Sequence, residues 1–254
     1  MNKLNSIRSI RNKLQRGQPT IGGWMQIPHG SVAEILGATG FDWATVDMEH
    51  GSISLHQLPD LFRALELGGT LPLVRVAEGD AKECKQVLDA GAGGVIVPNV
   101  QKAEQLISIR NFCRWPPSGK RGVGFSRANL FGGSFKNYAK QAQEPLLVAM
   151  IEEIEALKNL DKILEVEGLD AILIGPYDLS ASVGRPGDFQ NKEYVKTCRS
   201  ILAKAKRHKI AVGIHVINPL PQELRKRIKQ GYQFLPYSMD SVILSRASKY
   251  ENPK

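Results

Sequence analysis

Four short apolar runs in this chain stop at residues that can carry charge or move protons. VDMEHG supplies Asp47, Glu49 and His50, LVRV supplies Arg75, AMIE ends at Glu152, and AILIGPYD ends at Asp178. A polar group just past the C-terminal end of a parallel strand is where barrel and open-sheet enzymes keep their reacting side chains. Each of these residues also has an ordinary explanation. Asp178 before Leu179 and Ser180 is an acceptable helix N-cap, and an arginine often only pairs a carboxylate. Convergence of several such groups on one rim is harder to explain that way, and it predicts a shared site.

Glu152 and Asp178 together offer hard oxygen ligands of the kind Mg²⁺ and Mn²⁺ prefer, with water and substrate oxygens completing the shell. No cysteine and no second strand-end histidine joins this set, which argues against a His-rich zinc site. Strand alternation puts Leu146, Val148, Met150 and Glu152 on one side, and Ala149, Ile151 and Glu153 on the other. Glu152 and Glu153 therefore cannot both face one ion, and the period alone does not choose between them.

The elements that must position these groups alternate strand and helix from end to end. Apolar, Val/Ile/Leu-rich runs predict strands at 20–27, 43–49, 71–76, 94–98, 146–151, 171–174, 211–216 and 233–237, as expected of parallel strands covered on both faces. The eighth is the weakest, because Pro236 lies inside it. Helical spacing fills the gaps: Leu55, Leu58, Phe62 and Leu65; then Cys84, Val87 and Leu88 behind an Asp80–Glu83 capping box; then Ile154, Leu157, Leu160 and Leu164; then Val195, Cys198, Ile201, Leu202 and Ala205. Gly91, Gly168 and Gly231 sit where helices should end. Eight strand–helix units in 254 residues predict a single (β/α)8 TIM barrel over residues 1–254. Residues 1–18 would form a short helix closing one end through Ile7, Ile10 and Leu14. Residues 113–144, rich in Gly, Arg and aromatics, are expected to be an active-site-side insertion acting as a lid or binding loop. Arg121 and Arg127 are its candidates for meeting an acidic substrate.

Hydrophobic residues make up 42% and charged residues 23% of the chain, the balance of a soluble globular protein. No apolar run approaches the roughly 20 residues of a membrane helix. Cys84, Cys113 and Cys198 are odd in number and widely spaced, which points to free thiols in a reducing compartment. The basic, acid-free start of the chain has the character of a transit peptide, but a strand beginning near Thr20 leaves little to cleave, and the cytoplasm is the expected location. Lys and Arg exceed Asp and Glu by +9. That excess is dispersed over helical faces without a basic-aromatic run, so neither nucleic acid nor membrane is expected as a partner.

Taken in order, VDMEHG, LVRV, VLDAG, GVIVPNV, RGVGFSRA, IEEIEALKNL and IGPYDLS resemble the metal-dependent pyruvate aldolases of the HpcH/HpaI family. That family includes 2-dehydro-3-deoxyglucarate and 4-hydroxy-2-oxoheptanedioate aldolases. The likeness runs from about Gly22 to Ala247. It implies a barrel of the phosphoenolpyruvate/pyruvate-domain type and a class II aldolase using Mg²⁺, Mn²⁺ or Co²⁺. Glu152 and Asp178 would hold the metal, and pyruvate would chelate it. Arg75 would neutralise the developing enolate oxygen, and His50 would act through water as general base. Asp47, with Asp89 arriving from a neighbouring subunit, would orient His50. Gly175, Pro176, Tyr177 and Asp178 would bind substrate, with backbone amides after Pro176 receiving the carboxylate. A homo-oligomer, a hexamer built as a trimer of dimers, is also implied.

The chemistry asks for the same set. Taking a proton from the pyruvate methyl builds charge on the keto oxygen, which a divalent ion and an arginine stabilise while a histidine of near-neutral pKa handles the proton. No predicted strand contains lysine, which disfavours a Schiff base. The expected reaction is reversible cleavage of a 2-oxo-4-hydroxy acid to pyruvate and a small aldehyde. A related lyase step such as oxaloacetate decarboxylation is the alternative, and a non-catalytic anion-binding barrel is the third reading. Met150, Tyr177, His215, Tyr237 and Met239 depart from the family pattern around the substrate face and leave the aldehyde open.

Overall fold

The computed structural model describes residues 2–250. Eight parallel strands close into a barrel in sequence order: β1 (Thr20–Met25), β2 (Trp43–Asp47), β3 (Leu71–Arg75), β4 (Gly94–Val97), β5 (Leu146–Ile151), β6 (Ala171–Ile174), β7 (Ala211–Ile214) and β8 (Phe234–Pro236). Every expected strand is present, several one or two residues shorter. Pro236 is accommodated because it ends the shortest strand, aligned with Gly22 of β1, where no further ladder donor is needed.

The helices are α1 (Lys3–Gln15), α2 (Gly30–Ala38), α3 (Leu58–Leu67), α4 (Ala81–Ala90), α5 (Ala103–Cys113), α6 (Phe135–Gln141), α7 (Ile154–Lys158), α8 (Leu160–Leu164), α9 (Pro176–Ser182), α10 (Lys192–His208), α11 (Pro221–Lys229) and α12 (Asp240–Ala247). The helical run expected after β5 is split at Asn159, which caps α7 and starts α8. At the start of α4, Asp80 accepts from the Glu83 amide. The Glu83 carboxylate turns instead to the amides of Ala77, Glu78 and Gly79, so the capping box is only half formed and the β3–α4 loop gains the other half.

Strand alternation sorts the core into two layers. Leu147, Ala149 and Ile151 of β5, with Val212 and Ile214 of β7, pack outward against the helices. Leu146, Val148 and Met150, with Ala211, Leu173, Trp24, Trp43 and Phe234, fill the barrel interior. Trp43 and Phe234 stack there, with ring centroids 4.1 Å apart. Ile7, Ile10 and Leu14 of α1 belong to this inner cluster and close the N-terminal end. The basic residues of α1 meet carboxylates on the same face: Arg11 forks onto Asp170 and reaches Glu144, Lys3 pairs Glu66, and Lys13 pairs Asp42. Asp42 and Asp170 also accept from the Ile21 and Leu147 amides.

The segment 113–144 does not lie where a lid would. It leads from a helix to a strand, and such connections in a barrel lie on the N-terminal face, opposite the βα loops. Arg127 donates to Glu66 and to the Ala90 carbonyl at the C-terminal ends of α3 and α4. Arg121 is buried and donates to the Tyr138 hydroxyl. Trp115, Tyr138 and Phe135 form a small cluster of their own, with Arg121 over the Trp115 and Tyr138 rings. Within one chain, neither arginine faces the site.

Candidate active site

At the C-terminal rim, β2 and β3 lie side by side, Asp47 opposite Arg75. Arg75 donates Nε to Asp47 Oδ1 at 2.9 Å and Nη2 to Oδ2 at 2.6 Å. Its remaining nitrogen, Nη1, lies 2.8 Å from Glu49 Oε2. The guanidinium also sits over the Trp24 ring, 5.0 Å from its centroid. Trp24 Nε1 and Gln26 Nε2 add two more donors to Asp47 Oδ2. Asp47 is fully buried and Arg75 is 6% exposed. Burial alone would raise the Asp47 carboxyl, but hydrogen bonds and charge from Arg75, helped by Gln26 and Trp24, hold it at about 2. A planar fork locked this way cannot swing, so the arginine is preorganised.

Asp47 also shapes the loop that carries His50. Its Oδ1 accepts from the Glu49 and His50 amides, while the His50 ring is exposed and makes no hydrogen bond to Asp47. The contact expected between the Asp47 carboxylate and the imidazole is replaced by one through the backbone. Asp89 is not brought to His50 within the chain. It lies in the last turn of α4 on the opposite face, where burial raises its carboxyl and Arg121 and Lys85 oppose the rise.

The choice between the two glutamates is resolved by the interior of the barrel. Glu152 continues the inward series Leu146, Val148, Met150 and is buried, while Glu153 turns outward and accepts from Gln101 Nε2. Glu152 Oε2 accepts from the Asn99 amide at 2.8 Å, a geometry made by the left-handed backbone of Asn99 at φ 50°. Oε1 faces Gly175 at the end of β6. A Cβ there would lie 2.5 Å from that oxygen, so only glycine leaves the carboxylate its place. Three residues on, Asp178 is exposed in the first turn of α9. Burial first, then the charges of Asp178 and Glu49, push the Glu152 carboxyl up to about 7 against the Asn99 amide and Arg75. Glu49 is raised by burial, opposed by Arg75 and His50, and also feels Asp47 and Asp178.

Asp47, Glu49, His50, Arg75, Glu152 and Asp178 thus form one electrostatically coupled group. Four carboxylates share a single guanidinium, and Arg75 is already committed to Asp47 and Glu49. Glu152 feels the charge of Asp178, neither pairs with Lys or Arg among the described residues, and the Glu152 Oε1 is an oxygen of the kind a hard divalent ion takes. Among the described residues there is no cluster of three or more His, Cys, Asp or Glu arranged for a metal. Two protein ligands plus water and substrate is the arrangement these residues fit.

Of the departures from the family pattern, Met150 fills the interior below Glu152. Tyr177 is exposed and packs edge-on against Phe189, with ring centroids 5.2 Å apart. His215 is a second strand-end histidine, which the sequence places around the substrate face without a role. It follows Ala211 and Gly213 on the inward side of β7, and its ring lies 4.9 Å from Trp24.

The model of the HpcH/HpaI aldolase/citrate lyase family matches residues 20–247. The chain is similar to the hydroxypyruvate/pyruvate aldolase of Roseobacter denitrificans, with 34% identity over 245 residues, 96% of this chain and 95% of that one. It is 35% identical over 249 residues to the 2-keto-3-deoxy-L-rhamnonate aldolase of Salmonella gallinarum, covering 97% of this chain and 92% of the relative. A solved HpcH/HpaI aldolase/citrate lyase family protein from Burkholderia cenocepacia superposes with a TM-score of 0.88 at 28% identity, over 94% of this chain and 96% of that one.

Proposed function

Because the chain belongs to the HpcH/HpaI aldolase/citrate lyase family, we propose that this rim is the active site of a class II pyruvate aldolase. It is a carbon–carbon lyase, and the reaction is reversible cleavage of a 2-oxo-4-hydroxy acid to pyruvate and an aldehyde. The observation that carries this reading is the buried, unneutralised Glu152 beside Asp178, within the field of an arginine locked by Asp47.

Glu152 and Asp178 would hold Mg²⁺, Mn²⁺ or Co²⁺, and the chemistry supplied there when the ion is bound is Lewis-acid polarisation of the pyruvate oxygens. Arg75, fixed by Asp47 and by the face of Trp24, meets the keto oxygen as negative charge builds on it. His50, exposed on the loop that Asp47 organises, takes the proton through one water and returns it in the reverse direction. Gly175 to Asp178 bound the pyruvate end, with the amides after Pro176 offered to its carboxylate.

Asp89 belongs to a neighbouring copy's site in this reading. Val123, Phe125, Leu130 and Phe131, all exposed on the segment beside Asp89, support a homo-oligomer, for which we favour a hexamer. A cytoplasmic location is supported by three buried, unpaired cysteines. No helix among the described residues is long and apolar enough to cross a membrane.

The test is pyruvate release from a 4-hydroxy-2-oxo acid with each metal in turn and then with chelator. Chelator-sensitive release supports the reading, and release that persists in chelator after exhaustive dialysis contradicts it.

A further inference from the structure

His215 is an inward-facing group at the mouth that the mechanism above leaves unused. Its strand, β7, is the next around the barrel from the β6 end that carries Asp178. It therefore borders the β6 end to which the proposed function assigns pyruvate. The ring tilts by 55° against Trp24, the same indole that lies under Arg75 and donates to Asp47.

The tautomer of this ring is fixed. Nε2 lies 3.2 Å from the Ser238 carbonyl oxygen. A carbonyl only accepts, so Nε2 carries the proton and Nδ1 keeps its lone pair. The carbonyl has little freedom to move away. Ser238 is fully buried and left-handed at φ 61°. Its amide donates to the Val216 carbonyl and its hydroxyl to the Ile217 carbonyl, both at 2.8 Å. Backbone strain held this firmly is typical of a position whose geometry is used. Nδ1 has no hydrogen-bond partner among the described residues, and the side chain is only half-buried. Burial first, then Arg75, keeps the ring at about 4, so at neutral pH it accepts hydrogen bonds and is too weak a base to take a proton outright.

We propose that His215 is a specificity-determining residue whose Nδ1 accepts a hydrogen bond from a hydroxyl on the aldehyde part of the substrate. It thereby selects 2-hydroxyaldehydes over their deoxy counterparts. This rests on the aldolase reading given above. A site built to bond a substrate hydroxyl discriminates against the analogue that lacks it, because the acceptor then loses its partner to an apolar group.

Glycolaldehyde and acetaldehyde differ by that one hydroxyl, so the readout is the ratio of their kcat/KM values in addition to pyruvate. Wild type is expected to favour glycolaldehyde. His215→Leu is expected to lower the ratio about tenfold or more, and His215→Asn, which keeps a side-chain acceptor, to fall between the two. The ratio is informative whatever the absolute rates, and the Asn variant reports should the Leu variant fold poorly. An unchanged ratio in both variants overturns the assignment. Solvent-deuterium exchange into pyruvate, measured on wild type in parallel, separates the two readings. With exchange intact, an unchanged ratio removes only His215. Without exchange, the aldolase reading falls and takes this assignment with it.

Discussion

At the N-terminal face, each of Lys3, Arg8, Arg11 and Lys13 meets a carboxylate, and Arg11 divides itself between Asp170 and Glu144. At the C-terminal rim, Asp47, Glu49, Glu152 and Asp178 crowd around one arginine, and Glu152 is driven up to about 7. The same strands run between these two ends. One end pairs its charges and closes over Ile7, Ile10 and Leu14 for stability. The other holds an excess of like charge in a buried place, a costly arrangement unless a cation or substrate joins it. The uneven placement of charge, more than the barrel itself, is what supports placing the proposed active site at the C-terminal rim.

Substitutions at the two ends should therefore part company. The largest effect is expected at the rim. Glu152→Ala or Asp178→Ala should lower aldol cleavage by about a thousandfold or more and abolish its response to added metal, read as initial rates across a metal titration. His50→Ala should cost about a hundredfold while leaving metal affinity intact, measured by calorimetric titration with Mn²⁺. A His50 variant that binds no metal would mean the histidine belongs to the ion rather than to the proton.

The opposite face should respond in stability instead. Arg11→Met breaks a partly buried fork and is expected to cost about 2 kcal/mol in urea unfolding, with kcat/KM unchanged. A large loss of activity at normal stability would erase the division between the ends. The smallest effect concerns acid. The His215 ring is held at about 4, below the ordinary value of about 6.5. As pH falls, the unfolded chain takes up this proton first, so stability is lost from about pH 6.5 down toward 4. Between pH 7 and 5.5 this amounts to about 1 kcal/mol, and His215→Asn should flatten that stretch of the urea-midpoint profile.

Much of this division is legible in the residues alone. Parallel strands buried on both faces read as continuous apolar runs, so all eight stand out, and the charged or proton-moving groups after four of them mark one common end. The spacing of Ile7, Ile10 and Leu14 likewise declares a plug. The pairing of Arg11 with Asp170 and of Lys3 with Glu66 is not legible, because those partners meet only when the barrel closes. The strand period leaves Glu152 and Glu153 open and the family resemblance names Glu152, while the inward series through Met150 gives the physical reason. The segment 113–144 has a loop's composition, but its side is set by connectivity, since a helix-to-strand link belongs to the N-terminal face. His215 stood out only as a departure. Its fixed tautomer depends on the Ser238 carbonyl, which is 23 positions away.

The central claim is that Glu152, Asp178, Arg75 and His50 together make the pyruvate methyl acidic. Its most direct test is proton NMR of pyruvate in deuterium oxide with the enzyme and Mg²⁺, Mn²⁺ or Co²⁺, before and after chelator. The account predicts loss of the methyl signal at an enzyme-dependent rate that chelator stops and metal restores. A methyl signal that persists with every metal, or one lost equally fast in Glu152→Ala, would contradict it.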